Sequence, residues 1–450
     1  MHIAPNPQVD GIFAQWDKTD SPGFALAVSR GGKLVYSRGY GMADLDHNIA
    51  IGPATVFHAA SLAKQFTAMA IMLLVEQGKL SIDDDVHSFI PELSGSAIPK
   101  ITIRQMLHHI SGIRDQWVLV TMAGWHLSDD VVTRKDVIKF VKQMTSLNFC
   151  PGSEYSYSNT NYTLAAEIVK TTSGVALSEF CQKHIFEPLG MTSTTIIETH
   201  GEVVKNRAYG YRGAYPNFEV RMPNYDLTGP TNLQTTVEDL IRWDRNFDLK
   251  TVGGVAALSA MQTPVPASQG YGFGLFIRTE NGRQIVEHDG RDAGYRSHLI
   301  RFPDQQLAVA LLCNLALDQI STGTLVREVA AVYLGSPHSA VLETAADHPT
   351  GTSAPAALTE YLGQYYSGEI DAVYTIVPDG SSIAITRSRY DATKLNVAGL
   401  DVFVMSNFTV VLTTVLVEFN RDAQGKIDGF RMDDISGLNR LSKFRFAKVQ

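Results

Sequence analysis

The sequence reads AASLAKQFTAMAIMLLVEQG over residues 59–78, where apolar side chains recur with the spacing of an α-helix. The apolar residues that share one face of this predicted helix are Phe66, Met69, Leu73 and Leu74. Gly78 is typical of the position just after a helix. Ser61 and Lys64 stand three residues apart near its start, and residues at this spacing lie on the same helix face. The stretch therefore predicts an apolar helix that brings a lysine amine to a serine hydroxyl.

Ser61 and Lys64 are the residue types that a nucleophile and its base require. A serine hydroxyl is a weak nucleophile until a base removes its proton. Lysine has an ordinary pKa of about 10.4, and burial beside polar groups could lower it toward about 7–8, where the neutral amine can act as that base. A helix N-terminus also disfavours a cation and offers N–H groups to an oxyanion. The alternative is a helix-start serine beside a solvated lysine, because this spacing also arises by chance.

A second polar segment, PGSEYSYSN, occupies residues 151–159. Tyr157 and Asn159 are two residues apart, so their side chains point the same way if the loop is extended. The phenol could transfer a proton, and the amide could hold a substrate carbonyl. The alternative is an ordinary polar turn in which Asn159 caps the next helix.

A third segment, His288-Asp289-Gly290, ends a β-type run ahead of Gly294-Tyr295 and the next predicted strand. Glycine lets a substrate approach a strand backbone closely, which makes Gly290 a candidate substrate-binding residue. His288 would point into the same space with a titratable donor. The alternative is a hairpin residue before a turn.

Taken together and in this order, the three segments resemble the family of class C β-lactamases, DD-peptidases, D-aminopeptidases and related esterases. The fingerprint of that family is SxxK, then YxN, then KTG or its HxG variant, and its counterparts here are Ser61–Lys64, Tyr157–Asn159 and His288–Gly290. Flanking segments that also resemble the family are Met106–Ile113, Phe186–Met191 and Tyr271–Leu275. The resemblance extends from about residue 8 to about residue 335.

The resemblance implies a role for each site residue. Ser61 would attack an acyl carbon, while Lys64 and Tyr157 would share its proton and pass one to the leaving group. Which of the two is the base stays open. Asn159 would hold the substrate's amide, and the backbone N–H groups of Ser61 and Arg291 would form an oxyanion hole.

His288 stands where many relatives carry lysine. In the KTG relatives that lysine faces an anionic substrate carboxylate, whereas a histidine is only partly charged near neutral pH. The substitution disfavours a β-lactamase or carboxypeptidase that needs a free carboxylate. It favours aminopeptidase, amidase, esterase or acyl-transfer chemistry.

The predicted function is hydrolysis or aminolysis of amide or ester bonds in small peptides, including peptides with D-residues, through an acyl-enzyme on Ser61. Three alternatives stay open. One is a penicillin-binding-type thioesterase that cyclises a peptide delivered by a carrier protein, and another is a carboxylesterase. The third is a binding or sensor protein that acylates without turnover.

The order of predicted elements, with strands followed by helices and then strands, predicts an α+β fold with one antiparallel sheet, flanking helices and an inserted helical subdomain. The resemblance makes this domain, residues 1–335, β-lactamase/transpeptidase-like. Thr235–Glu238 resembles a capping box at the start of a helix. The strand patterns that follow lie at 271–277, 283–288, 297–302 and 307–312. A linker rich in Ser, Pro, Thr, Gly and Ala is predicted at 336–356, and short β-type runs predict an all-β barrel at 357–450, similar to the lipocalin-like domain of some D-peptide hydrolases.

The composition argues against several classes of partner. The net charge is −8 without a long Lys/Arg run, which disfavours nucleic acid. No HExxH, CxxC or phosphate-binding loop motif occurs, so neither a metal nor a cofactor is predicted. No apolar run reaches membrane-spanning length and no secretory leader is visible, so a cytoplasmic protein without a membrane partner is expected. The three cysteines, Cys150, Cys181 and Cys313, are predicted to be small buried residues. The oligomeric state stays open.

Overall fold

The computed structural model describes residues 5–317, 321–335, 358–409, 411–436 and 441–449. The chain divides into two compact units. The first comprises Met1–Phe89, Thr102–His108 and Tyr162–Val341. The second comprises Ile90–Ile101, His109–Asn161 and Leu342–Gln450. The predicted linker, 336–356, lies outside the described residues.

The first unit is built on a six-stranded sheet in which every neighbouring pair of strands is antiparallel. Its strands, in spatial order, are Phe276–Glu280, Arg283–Asp292, Tyr295–Phe302, Leu307–Cys313, Phe24–Arg30 and Lys33–Tyr40. Gly31 and Gly32 join the last two strands with φ angles of 58° and 71°. Two successive residues with positive φ form the hairpin turn that matches the twist of a sheet, and glycine adopts this conformation at least cost. The predicted antiparallel sheet is confirmed.

Helices cover both faces of the sheet. On one face, Pro7–Phe13 and Thr322–Leu334 contribute Phe13 and Val329 to a core that also contains Leu26. On the other face, Val237–Leu249 packs against the neighbouring strands Leu307–Cys313 and Phe24–Arg30. Burial on both faces explains why the central strand Leu307–Cys313 is apolar throughout instead of alternating.

The helix that carries Lys64 runs from Ala63 to Glu76, and most of its side chains are buried. Other helices of this unit are Ile103–Leu107, Leu177–Cys181, Glu187–Leu189 and Val255–Met261, and Asn159–Ser173 begins in the second unit and continues into the first. Short strands are found at Met42–Asp44, Ile49–Ala50, Phe57–His58, Thr195–Ile196, Tyr211–Ala214, Asn217–Val220, Tyr225–Asp226 and Leu233–Thr235. Among the described residues, no helix combines the length and apolar composition required to traverse a bilayer.

The second unit combines a helical segment with a closed eight-stranded barrel. The helical segment contains Gln116–Met122 and Arg134–Gln143, with a short strand at Val132–Thr133. The barrel strands are Gly363–Ser367, Ala372–Asp379, Ser382–Arg387, Tyr390–Gly399, Val402–Ser406, Thr414–Arg421, Ile427–Asp434 and Phe444–Lys448. The first and last strands pair at Tyr365↔Lys448, which closes the barrel. Aromatic rings pack inside it, including Phe430 against Phe446 with ring centroids 4.7 Å apart. The predicted β-barrel is confirmed.

Three local predictions differ from the structure. The strand predicted at 271–277 begins only at Phe276, because Tyr271 and the glycine-containing residues after it form a turn. The helix expected after Thr235 is capped by Thr236, whose hydroxyl accepts a hydrogen bond from Asp239 N at 3.2 Å. The prediction that all cysteines are buried is wrong for Cys150, which is exposed in the loop that enters Pro151-Gly152.

Candidate active site

Ser61 lies in a single 3₁₀ turn, Ala60–Leu62, directly before the helix Ala63–Glu76. The turn begins with an unusual backbone, because Ala60 has a φ of 47°, and a non-glycine residue in this region costs about 1–3 kcal/mol. Neighbouring segments hold the turn in place. Ala59 N donates to Leu233 O at 2.8 Å, and the Ser297 hydroxyl donates to Ala59 O at 2.8 Å. The candidate nucleophile is thus presented by a strained turn anchored on the sheet.

Lys64 is fully buried, which rules out the alternative of a solvated lysine. Its Nζ lies 3.0 Å from Ser61 Oγ and donates to Pro230 O at 2.9 Å. That carbonyl is fixed in turn, because the Thr67 hydroxyl donates to Gly229 O at 2.8 Å. Burial removes the water that stabilises an ammonium ion and so favours the neutral amine. The pair therefore has the geometry in which an amine can take a serine proton.

His288 and Gly290 lie on the same face of the strand Arg283–Asp292, as alternation along a strand requires. A Cβ atom at Gly290 would stand 2.6 Å from Ala59 O and nearer still to the Ser297 hydroxyl. From the sequence, we expect Gly290 to allow the close approach of a substrate. The structure instead gives it a close approach to the turn that carries Ser61.

The imidazole of His288 is buried, and both of its nitrogens are engaged within the fold. Nδ1 lies 2.6 Å from Asp289 O, and Nε2 lies 3.0 Å from the Tyr271 hydroxyl. Because a carbonyl oxygen only accepts, Nδ1 carries the hydrogen and Nε2 accepts from the hydroxyl. Desolvation by burial lowers the pKa of His288 to about 4, although the neighbouring Asp289 acts to raise it. His288 is therefore neutral near neutral pH.

Tyr271, the partner of His288, belongs to a segment that the sequence singled out only by family resemblance. Its carbonyl lies 2.8 Å from Nδ1 of His108, which is also buried. Tyr271 thus contacts His288 through its hydroxyl and His108 through its carbonyl. Because His108 directly follows the helix Ile103–Leu107, these contacts link that helix to the strand that carries His288.

The edge of the strand Arg283–Asp292 changes beyond Glu287. Up to that residue the strand pairs with Phe276–Glu280, whereas residues 288–292 pair, among the described strands, only with Tyr295–Phe302. Arg291, whose backbone N–H is the second predicted oxyanion donor, is exposed along this part of the strand. A strand edge of this kind can present backbone hydrogen-bonding groups to a ligand.

A buried polar network that the sequence did not reveal joins the two segments with the predicted oxyanion donors. His58 precedes the Ser61 turn, and its Nε2 lies 3.1 Å from Oδ2 of Asp292 at the end of the strand. The hydroxyls of Thr231, at 3.0 Å, and Tyr225 donate to the same oxygen. Although burial acts to raise it, these hydrogen bonds hold the pKa of Asp292 below its ordinary value. No sequence motif links the two residues, which stand 234 positions apart.

Tyr157 lies in the second unit, in a loop organised by His109, and Asn159 follows as the first residue of the helix Asn159–Ser173. The carbonyl of His109 accepts from Ser156 N at 2.9 Å, and its Nδ1 accepts from Ser158 N at 3.1 Å. The rings of His109 and Tyr157 are in contact, with centroids 4.3 Å apart and planes tilted by 37°. His109 lies within the family-like segment Met106–Ile113, but no motif in the sequence predicts this role for it.

Asp115 fixes the amide of Asn159. One carboxylate oxygen, Oδ2, accepts from both the backbone N and Nδ2 of Asn159, each at 2.7 Å. The sequence offered no signal for this residue, because nothing in its neighbourhood distinguishes Asp115 from an ordinary helix cap. Of the predicted site residues, Ser61, Lys64, His288 and Gly290 therefore come together in the first unit, whereas Tyr157 and Asn159 lie two positions apart in the second, against His109 and Asp115 respectively.

The chain is similar in sequence to known proteins along much of its length. The chain is 28% identical over 323 residues to a D-aminopeptidase of Gluconobacter oxydans, covering 70% of this chain and 60% of that protein. The chain thus spans less than two thirds of that relative. It is also 28% identical over 418 residues to penicillin-binding protein 4* of Bacillus subtilis, covering 87% of this chain and 88% of that protein.

The fold is shared with solved structures along nearly the whole chain. The octameric penicillin-binding protein homologue from Pyrococcus abyssi superposes with a TM-score of 0.65 at 23% identity, covering 98% of this chain and 99% of that one. Residues 9–331, more than half of the chain, match the profile of the family described as Beta-lactamase. The chain therefore belongs to the β-lactamase family.

Proposed function

We propose that this chain is a serine hydrolase that cleaves amide and ester bonds of small peptides, including peptides of D-residues, through an acyl-enzyme on Ser61. One observation supports this most directly. The amine of Lys64 is fully buried, 3.0 Å from the Ser61 hydroxyl, and its position is fixed by the carbonyl of Pro230. A general base requires such a place, because burial favours the neutral amine and the hydroxyl proton lies within hydrogen-bond reach.

In the proposed acylation step, Ser61 Oγ bonds to the substrate's carbonyl carbon while its proton passes to Lys64 Nζ. The backbone N–H groups of Ser61 and Arg291 stabilise the oxyanion. As the tetrahedral intermediate collapses, the C–N or C–O bond breaks and the leaving group takes a proton, with Tyr157 as the proposed relay. A water molecule then repeats the sequence on the ester and releases the acid. Asn159 is assigned to the substrate's amide by motif order.

The substrate class follows from the charge of His288. A lysine at this point could pair with a substrate carboxylate, whereas a buried neutral imidazole offers that carboxylate no fixed positive charge. Substrates with an amide, a peptide bond or an ester beyond the scissile position are therefore favoured over substrates recognised by a free carboxylate. The names of the relatives, a D-aminopeptidase and a penicillin-binding protein, agree with D-residue peptides.

The test is a screen of D- and L-aminoacyl amides, short esters and a cephalosporin, with intact mass recorded during turnover. We expect turnover of D-aminoacyl amides and an added acyl mass on the chain. Ser61→Ala should remove the adduct and lower kcat by more than about a thousandfold. Lys64→Met should lower kcat comparably, whereas Lys79→Met, which changes an exposed lysine just beyond the same helix, should not.

Several outcomes would contradict the proposal or redirect it. A rate that rises only above about pH 10 would show that Lys64 is an ordinary lysine and not the base. A preference of more than about tenfold for a free C-terminal carboxylate over its amide would refute the inference from His288. Cyclic product with little free acid would favour the peptide cyclase. Turnover of esters but not of amides would favour the carboxylesterase, and covalent labelling without turnover would favour the sensor.

A further inference from the structure

The turn between the barrel strands Gly363–Ser367 and Ala372–Asp379 carries a buried carboxylate, Glu369. Its Oε2 accepts a hydrogen bond from the Arg114 guanidinium at 3.0 Å, and the Thr145 hydroxyl donates to Oε1 at 2.7 Å. The side chains of Arg114 and Glu369 are only 0% and 7% exposed. Loss of one partner would leave the other charge buried and uncompensated, so a pair of this kind holds its two segments in a fixed relation.

Two further barrel groups close around Arg114. Its Nη2 donates to Ser442 O at 3.2 Å, and its guanidinium lies 5.2 Å from the ring centroid of Phe444. On the helical side, the same guanidinium donates to the backbone oxygen and the hydroxyl of Ser146. Arg114 therefore binds the barrel to the segment that precedes the helix Gln116–Met122.

The residue after Arg114 is Asp115, which fixes Asn159. Asp115 Oδ1 caps the helix by accepting from Trp117 N at 2.9 Å, and Oδ2 accepts both hydrogen bonds from Asn159. The carbonyl of Arg114 accepts from the Thr160 hydroxyl at 2.7 Å. Arg114 is thus bonded to Glu369 of the barrel and to Thr160, and Asp115 is bonded to Asn159.

We infer that Glu369 is a positioning residue that orients Asn159 from the barrel through Arg114 and Asp115. A shift of Arg114 moves Asp115, and the amide of Asn159 must follow or lose two hydrogen bonds. The inference rests on the proposed function, in which Asn159 binds the substrate's amide. It gives the C-terminal barrel a part in amide recognition without requiring a barrel side chain to touch the substrate.

A double-mutant cycle tests the inference with an aminoacyl amide as substrate. Glu369→Gln should lower kcat/KM about tenfold in the wild-type background but less than about twofold beside Asn159→Ala, because residues of one hydrogen-bond network have coupled effects. The matched control is Glu360→Gln, which removes an exposed barrel carboxylate paired with Arg421 at 2.8 Å and should change kcat/KM less than about twofold. Additive effects of the Glu369 and Asn159 substitutions would overturn the inference.

Hydrogen exchange followed by mass spectrometry tests the same connection without turnover. Glu369→Gln should accelerate amide exchange at residues 156–161, whereas exchange in the central strand Phe24–Arg30 should not change. Unchanged exchange at 156–161 would overturn the inference even in an active enzyme. In a chain without any turnover, which would refute the proposed function, this measurement alone would decide whether Glu369 positions Asn159. Should Glu369→Gln fail to fold, Thr145→Val removes one hydrogen bond to Glu369, keeps both charges and should shift exchange in the same direction.

Discussion

Replacement of Gly290 by alanine would show how tightly the sheet controls the nucleophile. A Cβ at this position would overlap the Ser297 hydroxyl and would lie 2.6 Å from Ala59 O and 3.0 Å from Ala60 Cβ. The Ser297 hydroxyl must rotate away, which removes its hydrogen bond to Ala59 O. Carbon and oxygen normally approach no closer than about 3.3 Å, so the strand and the turn must also separate by roughly 0.7 Å. Overpacking of this size costs about 1–3 kcal/mol, which a domain of ordinary stability survives. The free energy of unfolding should therefore fall without loss of the fold.

The catalytic effect of Gly290→Ala should exceed its effect on stability. Ser61 follows Ala60 directly, and a displacement near 1 Å at a reacting group can cost about a hundredfold in rate. We expect kcat/KM for an aminoacyl amide to fall about a hundredfold, with a parallel loss in the rate of fluorophosphonate labelling at Ser61. Gly201→Ala is the matched control, because a Cβ there meets no atom within 4 Å. Labelling at the wild-type rate despite lowered stability would show that the strand does not set the position of Ser61.

Three further predictions concern the surroundings of the site. Burial lowers the pKa of His288 to about 4, so between about pH 6.5 and about pH 4 the unfolded chain binds a proton that the folded chain does not. The free energy of unfolding, measured with urea, should therefore fall by up to about 3 kcal/mol as the pH is lowered through this range. His288→Gln should reduce that loss. His109→Ala should lower kcat/KM for amides and accelerate amide hydrogen exchange at residues 156–159. His109→Asn tolerates the φ of 59° and retains a hydrogen-bond acceptor, so both kcat/KM and exchange should stay near their wild-type values. Equal losses in the two variants would argue against the acceptor role. Ellman's reagent should titrate the exposed Cys150 in the native protein and all three thiols only after denaturation, because burial raises the pKa of Cys313 to about 12 and that of Cys181 further; rapid reaction of three native thiols would contradict the structure.

The fold was predictable wherever one local pattern dominates. Apolar residues at helical spacing predict the helix Ala63–Glu76, and a continuous apolar run predicts the strand Leu307–Cys313. Both elements are present in the structure. The barrel strands Gly363–Ser367 and Tyr390–Gly399 did not stand out among the predicted β-type runs. Both are rich in polar residues, because one face of a barrel strand meets solvent, and their place is set by pairing with neighbouring strands. Such pairing leaves little trace in a single sequence.

The candidate site divides in the same way. The residues that act on a substrate in the proposed mechanism stand in short motifs, so Ser61 and Lys64 could be found from a spacing of three. The residues that hold these side chains in place do not lie in short motifs. His58 meets Asp292 across 234 positions, and Asp115 meets Asn159 across 44. Because a long-range contact imposes no periodicity on either partner, only the folded chain reveals it.

The two compact units divide the proposed chemistry between them. The sheet and the Gly229–Pro230 backbone fix the positions of Ser61 and Lys64, and all of these residues belong to the first unit. Asn159 owes its orientation to Asp115 and, through Arg114, to the barrel, all in the second. A small electrophile that needs only an activated serine should therefore depend on the first unit alone, whereas an amide substrate should depend on both. Gly290→Ala in the first unit should slow fluorophosphonate and amide alike, whereas Glu369→Gln and His109→Ala in the second should slow the amide and spare the fluorophosphonate. That asymmetry follows from which contacts fix which side chain, and it would be lost if the barrel acted only by keeping the whole chain folded.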